Sequence, residues 1–194
     1  MHVDHIKVPK TANPVLDVLK SRWSPRAFLE KMVSDAEVAA LVEAAGWAPS
    51  SMNQQPWRYL YAHKGTLGYD KMLGCILPGN AIWVKHAPLL MLNIGYTKLD
   101  AFDVPNPHFM HDCGMANANL FTQATSMGIY GHLLGGYDRE RAIKTFDLNG
   151  TEEPVCFIAL GFLGNPEQLE EPFKSRELAP RQRKSLDEIS QKLD

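Results

Sequence analysis

Trp47-Ala48-Pro49-Ser50-Ser51-Met52-Asn53-Gln54-Gln55-Pro56-Trp57 is the stretch on which the fold turns. Upstream, Ser34-Asp35-Ala36-Glu37 has the spacing of a capping box, and Val38, Leu41, Val42 and Ala45 recur at helical period. Downstream, Trp57-Arg58-Tyr59-Leu60-Tyr61 reads as a strand. Pro49 and Pro56 halt the helix and set the loop's exit. Two serines and several amides are thereby held between two tryptophans. A fixed polar loop of this kind suits a planar, partly polar ligand, although a plain surface connection has the same composition.

The 194 residues fit one domain with a real core, and a formal charge of -2 points to neither nucleic acid nor an anionic membrane surface. The longest apolar run, Ala87 to Ile94, is too short to span a bilayer and holds Pro88 and Asn93. His2, Asp4, His5 and Lys7 leave no apolar leader segment, so a cytoplasmic protein is expected. Cys75, Cys113 and Cys156 are odd in number and widely spaced, which reads as reduced thiols.

Taken in order, Asn13-Pro14 predicts a helix start, with Asn13 as cap and Val15, Leu16, Val18 and Leu19 as the apolar face. Arg22-Trp23-Ser24-Pro25-Arg26 follows. Two guanidinium groups around a hydroxyl can fork onto phosphate oxygens; a solvated arginine pair is the plainer account. Gly65 to Leu77 predicts a helix or turns, broken by Pro78-Gly79-Asn80. Ala87 to Ile94 and Val155 to Gly161 predict buried strands, and Phe102 to His111 an excursion or lid. Asp112 to Met127 predicts a helix with Asp112 at its start and Gly128 ending it. Ile129 to Leu134 predicts a strand, followed by Gly135-Gly136, whose backbone can approach a ligand closely, and by a helix capped at Asp138. His108, His111, Asp112 and Cys113 lack the second ligand pair of a zinc site, so no metal is expected. Residues 165–194 read as a charged arm that extends onto a partner subunit, with Arg181 and Arg183 as a second basic pair.

These segments together resemble the FMN-dependent nitroreductase family of NAD(P)H oxidoreductases. Arg22 to Arg26 looks like its Arg-x-Ser-x-Arg opening, and Pro49 to Trp57 its Pro-Ser-Ser-x-Asn-x-Gln-Pro-Trp signature. Asn80 precedes the Ala-Pro strand, Gly128 to Asp138 resembles the Gly-Leu…Gly-Gly-Phe-Asp segment, and Arg181 with Arg183 the terminal basic pair. Any one of these is weak; all five in order are specific.

The resemblance implies an α+β fold: a three-layer α/β/α sandwich with a mainly antiparallel sheet, a single domain over 1–194, in an intertwined homodimer with FMN at the interface. It implies Arg22, Ser24, Arg181 and Arg183 on the FMN phosphate, Arg26 near ring N1, Asn80 on the pyrimidine side and the Gly135 N–H toward N5. Ser50, Ser51 and Asn53 would reach the partner's flavin. Trp23, Pro49, Leu133, Leu134 and Gly136 complete the implied cofactor set. NADH or NADPH would deliver hydride in a ping-pong reaction ending on a nitroaromatic, quinone or similar acceptor, with no catalytic side chain required because FMN carries the chemistry. His108 and His132 are candidate proton donors or pocket walls. Two departures stand out: Trp83 occupies the place of a ring-edge lysine found in some members, and Gly135 that of a glutamate. The alternatives are a non-catalytic FMN-binding or sensing protein, a specialised flavin reaction such as dehalogenation on the same fold, and a cysteine hydrolase using Cys113.

Overall fold

The computed structural model describes residues 4–99 and 104–193. Phe102 and Asp103, at the start of the expected lid, and Asp194, at the end of the arm, lie outside the described residues. In chain order the elements are α1 (Asp4–Lys7), α2 (Asp17–Ser21), α3 (Asp35–Gly46), a 3-10 turn (Ser51–Asn53), β1 (Trp57–His63), α4 (Leu67–Cys75) and α5 (Pro78–Val84). Then come β2 (Leu89–Tyr96), β3 (Lys98–Leu99), β4 (Val104–Pro105), α6 (Phe109–Ser126), β5 (Tyr130–Leu134), α7 (Arg139–Thr145) and β6 (Glu152–Gly161). A second 3-10 turn (Pro166–Gln168), α8 (Phe173–Leu178) and α9 (Leu186–Ile189) close the chain. Among the described residues no helix is long and apolar enough to cross a membrane.

The sheet runs β1-β2-β6-β5, with every pairing antiparallel. β2 is apolar at nearly every position because it feeds two cores. Leu90, Leu92 and Ile94 join α4 and α5 through Tyr69, Met72, Trp83 and Val84. Leu89 and Met91 point the other way, onto Val38 and Leu41 of α3 and Ala116 and Leu120 of α6. Period-two alternation thus buries both faces, each fully buried leucine contributing about 2 kcal/mol. The fold is the expected α+β layered sandwich with an antiparallel sheet. The three cysteines are buried free thiols.

Local signals hold where their partners are local. The Ser34 backbone N–H donates to Glu37 Oε2 at 2.7 Å, and the Glu37 N–H returns to Ser34 Oγ at 3.3 Å. Gly128 leaves α6 at φ +72°, a conformation that suits glycine. The Asp138 side chain caps α7 by accepting from Arg141 N.

Three expected boundaries shift. α2 begins at Asp17 rather than Pro14, with Leu16 in the cap position and no side-chain cap. Its first turn is held instead by Asp17 and Lys20, 2.6 Å apart, and Leu16 and Leu19 stay exposed on this chain, so nothing here supports a longer helix. Pro78 does not merely break a helix; it opens α5, whose first turn needs no N–H from it. α6 begins at Phe109, so Asp112 lies inside its first turn and is free to serve another segment.

Candidate functional site

The basic pairs at the two ends of the chain meet. Arg22, Ser24, Arg181 and Arg183 line one cavity of about 250 Å³, together with Trp23, Lys7 and Arg176. Arg22 Nη1 points to Ser24 Oγ at 3.4 Å, and Arg181 Nη1 donates to the carbonyls of Lys7 (3.1 Å) and Lys20. Burial, then the neighbouring Arg183, pushes the Arg22 guanidinium below its ordinary value; burial, then Arg22 and Arg183, does the same to Arg181. Arginine does not deprotonate, so the cluster carries the cost of buried positive charge, with like-charge repulsion added, and an anion relieves both.

Lys7 and Arg176 were not legible as site residues. Lys7 is buried, its ammonium donating to the carbonyls of Arg176 (3.3 Å) and Ala179 and lying 4.8 Å from the Trp23 ring centre. It ties α1 to the C-terminal segment that carries Arg181. No periodicity or spacing announces such a contact between chain ends.

Arg26 leaves this cavity and lies between two rings, 5.7 Å from the centre of Trp83 and 5.9 Å from that of Phe173. Trp83 is 1% exposed. It is therefore a wall beneath Arg26 and not an open replacement for a ring-edge lysine. His132 packs against Trp83 with ring centres 4.7 Å apart and planes tilted by 44°, and its Nδ1 lies 3.0 Å from the Pro25 carbonyl. Burial, followed by Arg26, pushes the imidazole down to about 4, so it is neutral at pH 7 with Nδ1–H donating to Pro25. It braces the arginine loop and is no acid at neutral pH.

Asn80 and Gly136 touch: Asn80 Nδ2 donates to the Gly136 carbonyl at 3.4 Å, and a Cβ on Gly136 would lie 2.6 Å from that nitrogen. A Cβ on Gly135 would meet nothing within 4 Å. That glycine faces open space. Leu133 is exposed, whereas the Leu134 side chain is buried in the α4–α5 core, leaving only its backbone for a ligand.

The signature loop stands apart. Pro49 and Asn53 line a different cavity with Trp47 and Gln55. Met52, Asn53 and Gln55 all sit at positive φ, near +50°, a cost that non-glycine residues carry only where the surroundings hold them. The holds are visible: Ser50 Oγ accepts from Gln55 N at 3.0 Å, and Asp112 Oδ2 from Ser51 N at 3.0 Å. Asp112 thus fixes the loop from inside α6. Replacing Asp112 with Ala strands the Ser51 N–H and should cost about 1.5 kcal/mol, lowering the melting temperature by roughly 3–6 °C and exposing the Met52 region to limited proteolysis.

Loop and arginine cluster lie at opposite corners of the sheet. Trp57, at the loop's exit, pairs with Gly95 and through it with Glu153; Tyr130, against which Trp23 packs at 6.4 Å, pairs with Gly161 at the far end of β6. Sheet spacings make that diagonal roughly 30 Å. Within one chain the signature loop and the arginine cluster are therefore separate.

The sequence matches the nitroreductase family over residues 19–74 and 75–162. The chain belongs to the nitroreductase family. It is 27% identical over 153 residues, 78% of its length and 85% of the other's, to an Archaeoglobus fulgidus protein provisionally named NADH dehydrogenase/NAD(P)H nitroreductase. Its fold superposes on a crystal structure described as an oxidoreductase containing FMN, with a TM-score of 0.88 and 29% identity, covering 93% of this chain and 92% of that one. A Desulfovibrio desulfuricans protein, provisionally a nitroreductase and solved with FMN, shares the fold at a TM-score of 0.72 and 24% identity, over 95% of this chain and 99% of its own.

Proposed function

We propose that this protein is an FMN-dependent oxidoreductase that uses NADH or NADPH and works as a homodimer. The observation that carries this is the convergence of Arg22, Ser24, Arg181 and Arg183, from opposite ends of the chain, around one cavity. These residues fit a phosphate monoester: planar donors, a hydroxyl and mutual repulsion that a dianion relieves. Gly135, with open space where a side chain would be, fits close approach of a flat ring to the backbone. Arg26, held between Trp83 and Phe173, places a fixed cation for the ring's pyrimidine edge, and Asn80, anchored on Gly136, adds an amide there.

When bound, FMN would supply two-electron redox chemistry between NADH or NADPH and a nitroaromatic, quinone or related acceptor. The chain's own part is electrostatic: Arg26 favours the negative charge that reduction brings to its side of the ring.

The separation of the signature loop from the arginines supports the dimer. Ser50, Ser51 and Asn53 sit too far from their own chain's arginines to act on the same molecule, so they serve a second copy. Apolar surface on this chain supports that: Trp47 is 81% exposed, Leu16 70% and Met52 63%. The arm divides accordingly. Glu177 of α8 is buried on its own chain, while Leu186 and Ile189 of α9 present exposed apolar side chains for a partner.

The test is the visible spectrum of the purified protein, before and after anaerobic NADH or NADPH. A yellow protein that bleaches supports the oxidoreductase, and the faster donor identifies the coenzyme. Bleaching by dithionite alone points to FMN storage or sensing. A colourless protein that cannot be reconstituted with FMN overturns the proposal.

A further inference from the structure

We infer that Glu177 is the positioning residue for Arg26 and that its carboxylate lowers the reduction potential of the flavin. This rests on the FMN reading above. Glu177 is 1% exposed. Its Oε1 accepts the backbone N–H of Arg26 at 2.8 Å and of Ala27 at 3.0 Å; its Oε2 accepts the Arg26 N–H at 3.1 Å and lies 4.0 Å from Arg26 Nη1. Both oxygens face donors, which is the pattern of an ionised carboxylate; a protonated oxygen there would have nothing to donate to. One turn earlier on the same α8, Phe173 covers the Arg26 guanidinium. A single short helix thus grips both the backbone and the side chain of the arginine assigned to the flavin.

The charges around Glu177 are Arg26, from its own loop, and Lys7, from α1. Burial leaves the carboxyl above its ordinary value, and the Ala27 and Arg26 N–H groups, Arg26 and Lys7 counter that rise only in part. Burial likewise disfavours the Arg26 charge, with Glu177 supporting it. The two form a buried, loosely spaced pair, in which the anion stabilises the cation and also offsets part of the field it projects. A cation at the pyrimidine edge makes reduction easier, so an anion against that cation makes it harder.

The test is the midpoint potential of FMN-loaded wild type and Glu177→Gln, measured by anaerobic equilibration with a reference dye. Glutamine keeps the shape and can keep the Oε1 bonds while removing the charge. The expected result is FMN bound in both proteins and reduction favoured about tenfold in the variant, an upward shift of about 30 mV for two electrons. A purely structural Glu177 would lower the melting temperature or the FMN affinity and leave the potential unmoved. Should Glu177→Gln not fold, Arg26→Gln/Glu177→Gln removes both charges together, and its potential is compared with that of Arg26→Gln alone. A higher potential in the double variant supports the inference. Equal potentials, with flavin bound, overturn it and leave the cofactor assignment standing. A wild type that binds no FMN overturns both.

Discussion

Arg22→Ala is expected to weaken FMN about 100-fold and to leave riboflavin binding almost unchanged. Arg22 faces the cavity it shares with Ser24, Arg181 and Arg183, and its guanidinium is repelled by Arg183. A charge-assisted hydrogen bond to phosphate contributes about 1.5–3 kcal/mol, and 2.7 kcal/mol is a factor of 100 in affinity. Riboflavin lacks the phosphate, so it never uses this cavity. The unliganded protein should lose nothing in melting temperature, because the substitution removes one of several mutually repelling cations. Quenching of flavin fluorescence on titration gives both affinities, and raising the salt concentration should narrow the gap between wild type and variant. An equal loss for riboflavin and FMN would place Arg22 in the fold and not on the phosphate.

That contrast between local and distant signals describes how much was legible in the sequence. The Ser34 box, the glycine at position 128, the Asp138 cap and the two-sided strand at Leu89 to Ile94 were readable because each is a pattern within a few residues. The Arg22–Arg26 and Arg181–Arg183 pairs were readable as basic clusters, but only the family resemblance joined them. Lys7, Arg176 and Glu177 were not readable, since each acts through a partner at the far end of the chain and a buried lysine or glutamate resembles a solvated one until its partners are seen. Asp112 was assigned to its own helix start. It instead holds Ser51, because α6 begins three residues earlier and turns that carboxylate toward the loop. Leu134 entered the implied cofactor set by position, and strand alternation then sends its side chain inward.

Gly164→Ala should destabilise the protein by about 2–3 kcal/mol, lower its melting temperature by roughly 5–10 °C and weaken FMN as well. A Cβ at this position would lie 2.6 Å from the Phe28 carbonyl carbon, 2.8 Å from its nitrogen and 2.8 Å from its oxygen. All three are backbone atoms, so no rotamer change relieves the clash. The segment is also pinned: Gly164 N donates to Ala27 O at 2.9 Å, Leu29 N to Phe162 O at 2.9 Å, and Gln168 Nε2 to Phe28 O at 3.0 Å. Moving Phe28 away pulls on Ala27 and Arg26, whose N–H groups are held by Glu177. Packing strain at a glycine remote from the sequence motifs therefore reaches the arginine assigned to the flavin. Gly135→Ala is the counterpart. Its backbone is not left-handed and its added methyl meets nothing in the chain, so its melting temperature should stay within about 1–2 °C of wild type, while FMN affinity falls because the methyl enters the space assigned to the ring. Thermal unfolding of both unliganded variants, followed by FMN titration, separates the two effects. A Gly164→Ala protein as stable as wild type would mean that the Phe28 backbone yields freely, and the link from this strand end to Arg26 would be lost.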